Sequence, residues 1–548
     1  MQILGEPRNV RTSRWWPWLA AALTLVVTAC GGGPSASVSL QLEPAALDLV
    51  LGGSGTVQVT VTRSAAATAP LSLQVDGAPE WVNVDFSPAV LSGSILQSTM
   101  TVSTDGDHPD AEPTSFDVTV QAVGTGLSAQ ATLSLTVDLL DITGTVVDAF
   151  GEPVVGVTVL ATGQEAVVTD ASGSFSFSDV VVPYDVTIVD SVASIAHDFE
   201  GLTTGIPRLQ PISALLGGLN GEFSATITGN LVNATHVPLL AGHAATVCVE
   251  GLNGVAMGCQ NITVAGSSSY SLSPSWSSPA DLNVRVMAYL YEVDAGGVPT
   301  AIVASGTAGP TILADGDNAV LDLTLAAATS QASMAVTTSV PTGYSLNGRG
   351  IVSHHSEFAS FALSTGTPTG ATDTLIAPFF PGATLSAHAT ATSNAPMSAS
   401  VSIAWTTGHS SGDVTTLTLA APPTAVSPPE GATNVSTTTE FSFANPSGGV
   451  VTLVIQPNLS GPSFAVTTAA DTATIPDLAS LGMGLPGGAS YRWAVLASPD
   501  LATADEAVTG DGYFGGYLSL SIATTGGGLA PSTDGRISVS DSLDFTTQ

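Results

Sequence analysis

Val57-Gln58-Val59-Thr60-Val61 and Ala131-Thr132-Leu133-Ser134-Leu135-Thr136-Val137 decide the fold class. In both, branched apolar residues alternate with small polar ones. A period of two sends successive side chains to opposite faces of a strand, so one face is buried and the other is wet. Val38-Ser39-Leu40-Gln41-Leu42 and Leu321-Asp322-Leu323-Thr324-Leu325 repeat the pattern. Clusters of Gly, Pro, Asp and Ser separate such runs at the spacing of β-sandwiches. No stretch shows the period of an amphipathic helix. The expectation is an all-β chain of antiparallel sandwiches.

Composition agrees with that reading. Hydrophobic residues make up 44% of the 548 and charged residues only 10%, against about 25% charged in ordinary soluble proteins. Thr and Ser on the outer faces of thin sandwiches reconcile the two figures. The nine basic residues are all arginine, set against 44 acids, for a net charge of −35. Nucleic-acid binding needs clustered Lys and Arg to displace counterions, so that partner is excluded. The hydrophobicity excludes an acidic disordered chain, and the residue types exclude a coiled coil.

Arg8, Arg11 and Arg14 precede the short apolar stretch Leu19–Val27, which then runs into Val27-Thr28-Ala29-Cys30-Gly31-Gly32-Gly33. A nine-residue stretch cannot span a bilayer as a helix, and the pattern is that of a signal peptide. The end of the stretch resembles the lipobox of bacterial lipoproteins. The resemblance implies cleavage after residue 29, diacylation of the Cys30 sulfur and acylation of the new amine, with palmitate-type chains. Several chains anchor a protein where one is marginal. Gly31 stands where that family's inner-membrane retention signal has Asp, so the resemblance favours the outer membrane and the cell surface. A membrane partner through the anchor is expected; a threaded span is not.

The chain divides by composition into a signal (1–29), a Gly-rich tether (30–37) and five modules: 38–138, 139–215, 216–326, 327–421 and 422–548. The first resembles immunoglobulin-like modules, with Trp81 as a core tryptophan. The second carries Gly144-Thr145-Val146-Val147-Asp148, Gly151-Glu152-Pro153, Thr169-Asp170-Ala171-Ser172-Gly173-Ser174-Phe175 and Tyr184-Asp185-Val186. It resembles the carboxypeptidase regulatory-like module, a transthyretin-type sandwich related to carbohydrate-binding-like folds. That resemblance implies a fold, an association with glycans and no peptidase activity. The last module follows Pro422-Pro423 and Pro428-Pro429 and is similar to fibronectin type III or immunoglobulin-like modules, with an unusually long loop near 500–516. The fold class is therefore a tandem array of β-sandwich domains after a cleaved lipoprotein signal.

Candidate sites are few. Cys248 and Cys259 flank the turn signal Glu250-Gly251-Leu252-Asn253-Gly254 and read as a cross-strand disulfide in an oxidising compartment. Closing so short a loop contributes about 2–3 kcal/mol. Gly408-His409-Ser410-Ser411-Gly412 satisfies GxSxG, but no histidine follows His409, and a nucleophile elbow needs its base downstream and a helix behind it. It reads as a hairpin turn. His354 and Glu357 have HxxE spacing, yet positions i and i+3 of a strand face opposite sides and cannot share a metal. The run Asp105-Gly106-Asp107-His108-Pro109-Asp110-Ala111-Glu112 puts Asp105, Asp107, Asp110 and Glu112 on one turn. It is the candidate Ca²⁺ loop, since that ion takes six to eight oxygens, though EF-hand spacing is absent. No catalytic constellation forms, and no other cofactor is called. The expected function is a non-enzymatic structural or adhesive surface ectodomain, with partners among glycans or other surface proteins. The alternative is a carbohydrate-binding protein acting through 139–215.

Overall fold

The computed structural model describes residues 36–548 apart from 149–150, 152, 212–222, 234, 253–257, 277–279, 296, 298, 329–330, 357–358, 364–369, 379–383, 397 and 510–532. The signal, Cys30 and most of the tether therefore lie outside the described residues. What is described is all-β, in tandem β-sandwiches. The chain divides into two compact units, one ending at Leu140 and one beginning at Asp141.

The first unit is a closed two-sheet sandwich. One sheet orders Val38–Glu43, Ser54–Arg63, Gln97–Thr104 and Val82–Ser87; the other orders Ala46–Val50, Leu127–Asp138, Thr114–Gly124, Leu71–Asp76 and Val90–Leu91. Its strands alternate in burial as the period of two dictates: Val57, Val59 and Val61 point inward, as do Leu133, Leu135 and Val137. Trp81 is buried in this core with its ring edge-on to Phe116, 5.9 Å between centroids.

The second unit is built differently. A single 14-stranded sheet runs through it. Four of its strands come from the second module: Val167–Val168, Thr158–Ala161, Tyr184–Asp190 and Ile195–Leu202. Four come from the fourth: Ala359–Leu363, Tyr344–Ser356, Thr384–Ser393 and Val401–His409. Between them lie strands of the C-terminal module, Ser463–Thr468, Val450–Pro457, Ser490–Ser498 and Gly535–Val539, with Leu543–Thr547 and Ala432–Val435 branching off. The last module in sequence is thus the middle of the sheet. Shorter sheets close each sandwich: Ser174–Val180, Leu140–Val146 and Arg208–Leu209 for the second; Thr372–Pro378, Gln331–Ser339 and Val414–Thr418 for the fourth; and Thr424–Ser427, Phe441–Ala444 and Thr472–Ala473 for the last. The third module has its own core around Trp276, Leu282 and Val284. Its five-stranded sheet carries Tyr289, Tyr291 and Ile302, against which Ile376 of the fourth module packs.

Two expectations are corrected. The run Leu321–Leu325 is not one strand: pairing occurs at Asn318–Val320 and Leu323–Thr324, and between them the Asp322 carboxylate accepts the Asn230 backbone amide at 2.8 Å. The GxSxG segment does turn the chain, with Gly408 and Gly412 at φ 76° and 95°, but it is not a hairpin. Val401–His409 and Val414–Thr418 enter different sheets, so the turn crosses from one layer of the sandwich to the other.

Candidate functional site

The residues that distinguish this molecule lie at the two joints where the C-terminal module enters the shared sheet. At the first joint, Ile195–Phe199 pairs in parallel with Ser463–Thr467. His197 is fully buried there. Its Nε2 lies 2.8 Å from Thr467 Oγ1, and that hydroxyl lies 2.7 Å from Thr452 Oγ1. The imidazole stacks on Phe199, with centroids 4.0 Å apart. Burial pushes His197 down to about 3, so the ring is neutral and its Nε2 bonds to a hydroxyl.

The next residue faces the other way, as strand geometry requires. Asp198 accepts a 2.7 Å bond from Thr187 Oγ1. Burial raises it to about 7, against that bond and with help from Glu200 and Asp185. Burial raises Glu200 as well. The joint is closed below by the short helix Ala504–Ala507. Its Asp505 carboxylate accepts Thr203 N at 2.8 Å, Thr204 N at 3.1 Å and the Thr203 hydroxyl. Arg208 N donates to Val508 O at 2.7 Å.

At the second joint, Val401–Trp405 pairs antiparallel with Gly535–Val539. Gly350, His388, Trp405 and Gly535 form one row across four strands. The rings lie flat on the two glycines: a Cβ at Gly350 would sit 2.4 Å from the His388 ring, and one at Gly535 2.4 Å from Trp405. Trp405 Nε1 donates to Thr533 O at 2.9 Å. Acids again receive backbone donors. Asp534 accepts Thr407 N at 2.8 Å, and Asp541 accepts Ala399 N at 2.6 Å and Ser400 N at 3.0 Å. On the same face of the sheet, His354 Nε2 lies 2.8 Å from Ser386 Oγ, which donates to Thr407 Oγ1 at 3.0 Å. Burial lowers His354 and His388 to about 4.

The fourth module is also clamped internally. Arg349 is buried, donating to Thr338 Oγ1 at 2.8 Å, to Asp373 Oδ2 at 2.7 Å and to the carbonyls of Gly370 and Ala371. A buried charge persists only when its donors are so occupied.

Of the residues singled out in the sequence, Cys248 and Cys259 are directly opposite on antiparallel strands and bonded, with Cα atoms 4.2 Å apart. Asp105, Asp107, Asp110 and Glu112 are exposed. Asp105 Oδ1 accepts Asp107 N at 3.1 Å, and Asp110 N donates to His108 Nδ1 at 3.3 Å. Among the described residues no group of three His, Cys, Asp or Glu side chains is placed to hold a metal ion. Glu357 lies outside the described residues; its HxxE partner His354 is taken up by Ser386. Asp505, Asp534 and Asp541 were not singled out. The one signal for Asp505 was the overlong loop around 500–516.

No family model matches the chain, and no curated protein matches it. Among solved structures, the Bacillus anthracis TIE protein is 10% identical with a TM-score of 0.19, over 70% of this chain and 74% of that one. Domains 5–6 of the S-layer protein SbsC are 11% identical at 0.14, over 54% and 99%. The pilus adhesin SpaC from Lactobacillus rhamnosus GG is 10% identical at 0.14, over 67% and 56%. At such scores the likeness extends to neither a shared topology nor a function.

Proposed function

We propose that this chain is an exported, lipid-anchored surface protein acting as a non-enzymatic scaffold. Cys30 and the glycines after it tether it to the outer membrane, the first sandwich stands next to the tether, and the sandwiches from Asp141 onward form a block whose outer faces meet partners. The observation that carries this reading is the shared sheet with its two joints. At those joints His197 and His354 bond to hydroxyls, and Asp505, Asp534 and Asp541 accept backbone amides, holding strands in register. That is the chemistry of a framework. Labelled palmitate fed to cells expressing the chain is expected to enter the protein and to be lost in Cys30→Ser, with the wild type cleaved by protease added to intact cells. Equal labelling of both forms, or full protection from protease, contradicts the proposal.

A further inference from the structure

We infer that the first sandwich is a load-bearing clamp, built so that tension between an N-terminal anchor and the remaining chain is met by strands in shear. The inference rests on the anchored reading for its biological role, but the mechanics follow from register alone. A load applied at the tether and at Asp141 must pass through this sandwich, whatever the block beyond it holds.

The chain enters through Val38–Glu43, in register with Gln58–Arg63, and continues into Ala46–Val50. That second segment runs parallel to the exit strand, with Ala46 opposite Ser134 and Val50 opposite Asp138. Tension draws Ala46 toward the N-terminus and Asp138 toward the C-terminus. In a parallel pair those directions are opposed along one axis. The five register pairs are therefore loaded together and must fail together; an antiparallel hairpin pulled from its open end instead loses its bonds one at a time.

Both ends of the ladder are pinned. Ser134 N donates to Ala45 O at 3.1 Å and Leu51 N to Asp138 O at 2.7 Å. Beyond Val50 the chain is fastened to the opposite sheet by one buried hydroxyl. Thr104 Oγ1 accepts Gly52 N at 2.9 Å and donates toward Val50 O at 3.2 Å, while Thr104 N donates to Gly53 O at 2.9 Å. Slippage is opposed as well. Leu49 and Leu51 are buried, and sliding by one residue would turn Leu49 outward and Asp48 inward.

The test is single-molecule force spectroscopy on the unlipidated chain from Cys30 to Gln548, held by the Cys30 thiol and a C-terminal tag. Unfolding of residues 38–138 releases 101 residues, identified by a contour gain of about 350 Å at roughly 3.5 Å per residue. Ser134 N on Ala45 O and Leu51 N on Asp138 O put the odd-numbered amides of this strand on its partner, so Leu47→Pro removes a ladder donor and is expected to roughly halve the rupture force of that step. Asp85→Pro, on the edge strand Val82–Ser87, leaves it unchanged. Thr104→Val keeps the side-chain shape and also lowers the force, with folding confirmed by circular dichroism, so a misfolded proline variant does not end the test. A step whose force is the same in wild type, Leu47→Pro and Thr104→Val overturns the clamp. Palmitate labelling that is absent from the wild type, or equal in wild type and Cys30→Ser, overturns the anchor and leaves the clamp standing.

Discussion

The two units use the same strands to different ends. In the first, burial alternates along each long strand: Gln97–Thr104 is exposed and buried in turn, and Leu127–Asp138 likewise. One face is core and the other is solvent, and nothing beyond the sandwich is needed. In the second, strands at the joints are buried on both faces. Ile195–Phe199 has five buried residues in succession, Val450–Ile455 six, and Phe464–Thr468 five. A strand covered on both sides must place polar residues in the interior or be apolar throughout. Here the joints carry His197, Asp198, Thr452 and Thr467, each with a bonded partner. The lesson is that alternation marks a self-sufficient sandwich, and its loss marks a shared one.

The largest expected difference is in acid. His197, His354 and His388 are held well below their unfolded value near 6.5. Groups with depressed folded values contribute stability above the unfolded value, and that stability is lost as pH falls through the window from about 6.5 to 4. Asp198, raised to about 7, acts oppositely: its contribution is present at low pH and is lost as pH rises from about 4 to 7. Burial raises Glu200 in the same sense, and three imidazoles outweigh the two carboxyls. Calorimetry is expected to show the 141–548 transition dropping between pH 6.5 and 4 while that of 38–138 moves far less. Equal drops would erase the contrast. Asp198→Asn removes an opposing contribution, so the block's melting temperature is expected to rise more steeply between pH 6 and 7 than in the wild type.

Next comes Asp373→Ala, which leaves the buried Arg349 guanidinium without its carboxylate. Breaking such a pair costs about 3–5 kcal/mol, read as a lower denaturant midpoint for the second unit alone. A change below about 1 kcal/mol would show that the Thr338, Gly370 and Ala371 contacts suffice. Reduction of Cys248–Cys259 is expected to cost about 2–3 kcal/mol, again confined to the second unit. The smallest effect belongs to Asp505→Ala, about 1–2 kcal/mol for the donors left at Thr203 and Thr204. It is expected as faster amide exchange at those two residues.

How much of this could be read from the chain follows from the same contrast. The first sandwich was legible because Val57–Val61 and Leu133–Val137 encode their buried face locally. So was much of the second module, where the turn at Thr169–Gly173 is drawn by Asp170 accepting the amides of Ser172 and Ser174. The joints were not legible. Ile195-Ala196-His197-Asp198-Phe199 lacks alternation, and its partner lies 270 residues away. Nothing local tells His197 that a threonine hydroxyl awaits it. The acids were visible as a charge of −35, but their use as acceptors for backbone amides of distant modules depends on topology. Only the overlong loop around Asp505 hinted at it.

The central claim is that the C-terminal module holds the second unit together. Trp493, fully buried and edge-on to Phe441 at 5.2 Å, is the centre of that module's core, and its loss costs about 3–5 kcal/mol. Hydrogen exchange on full-length Trp493→Ala is the direct test. Amides at 195–199 and 401–405 are expected to lose protection together with 463–467 and 535–539, while residues 38–138 exchange as in the wild type. Wild-type protection at 195–199 and 401–405, with loss confined to 422–548, would contradict the account.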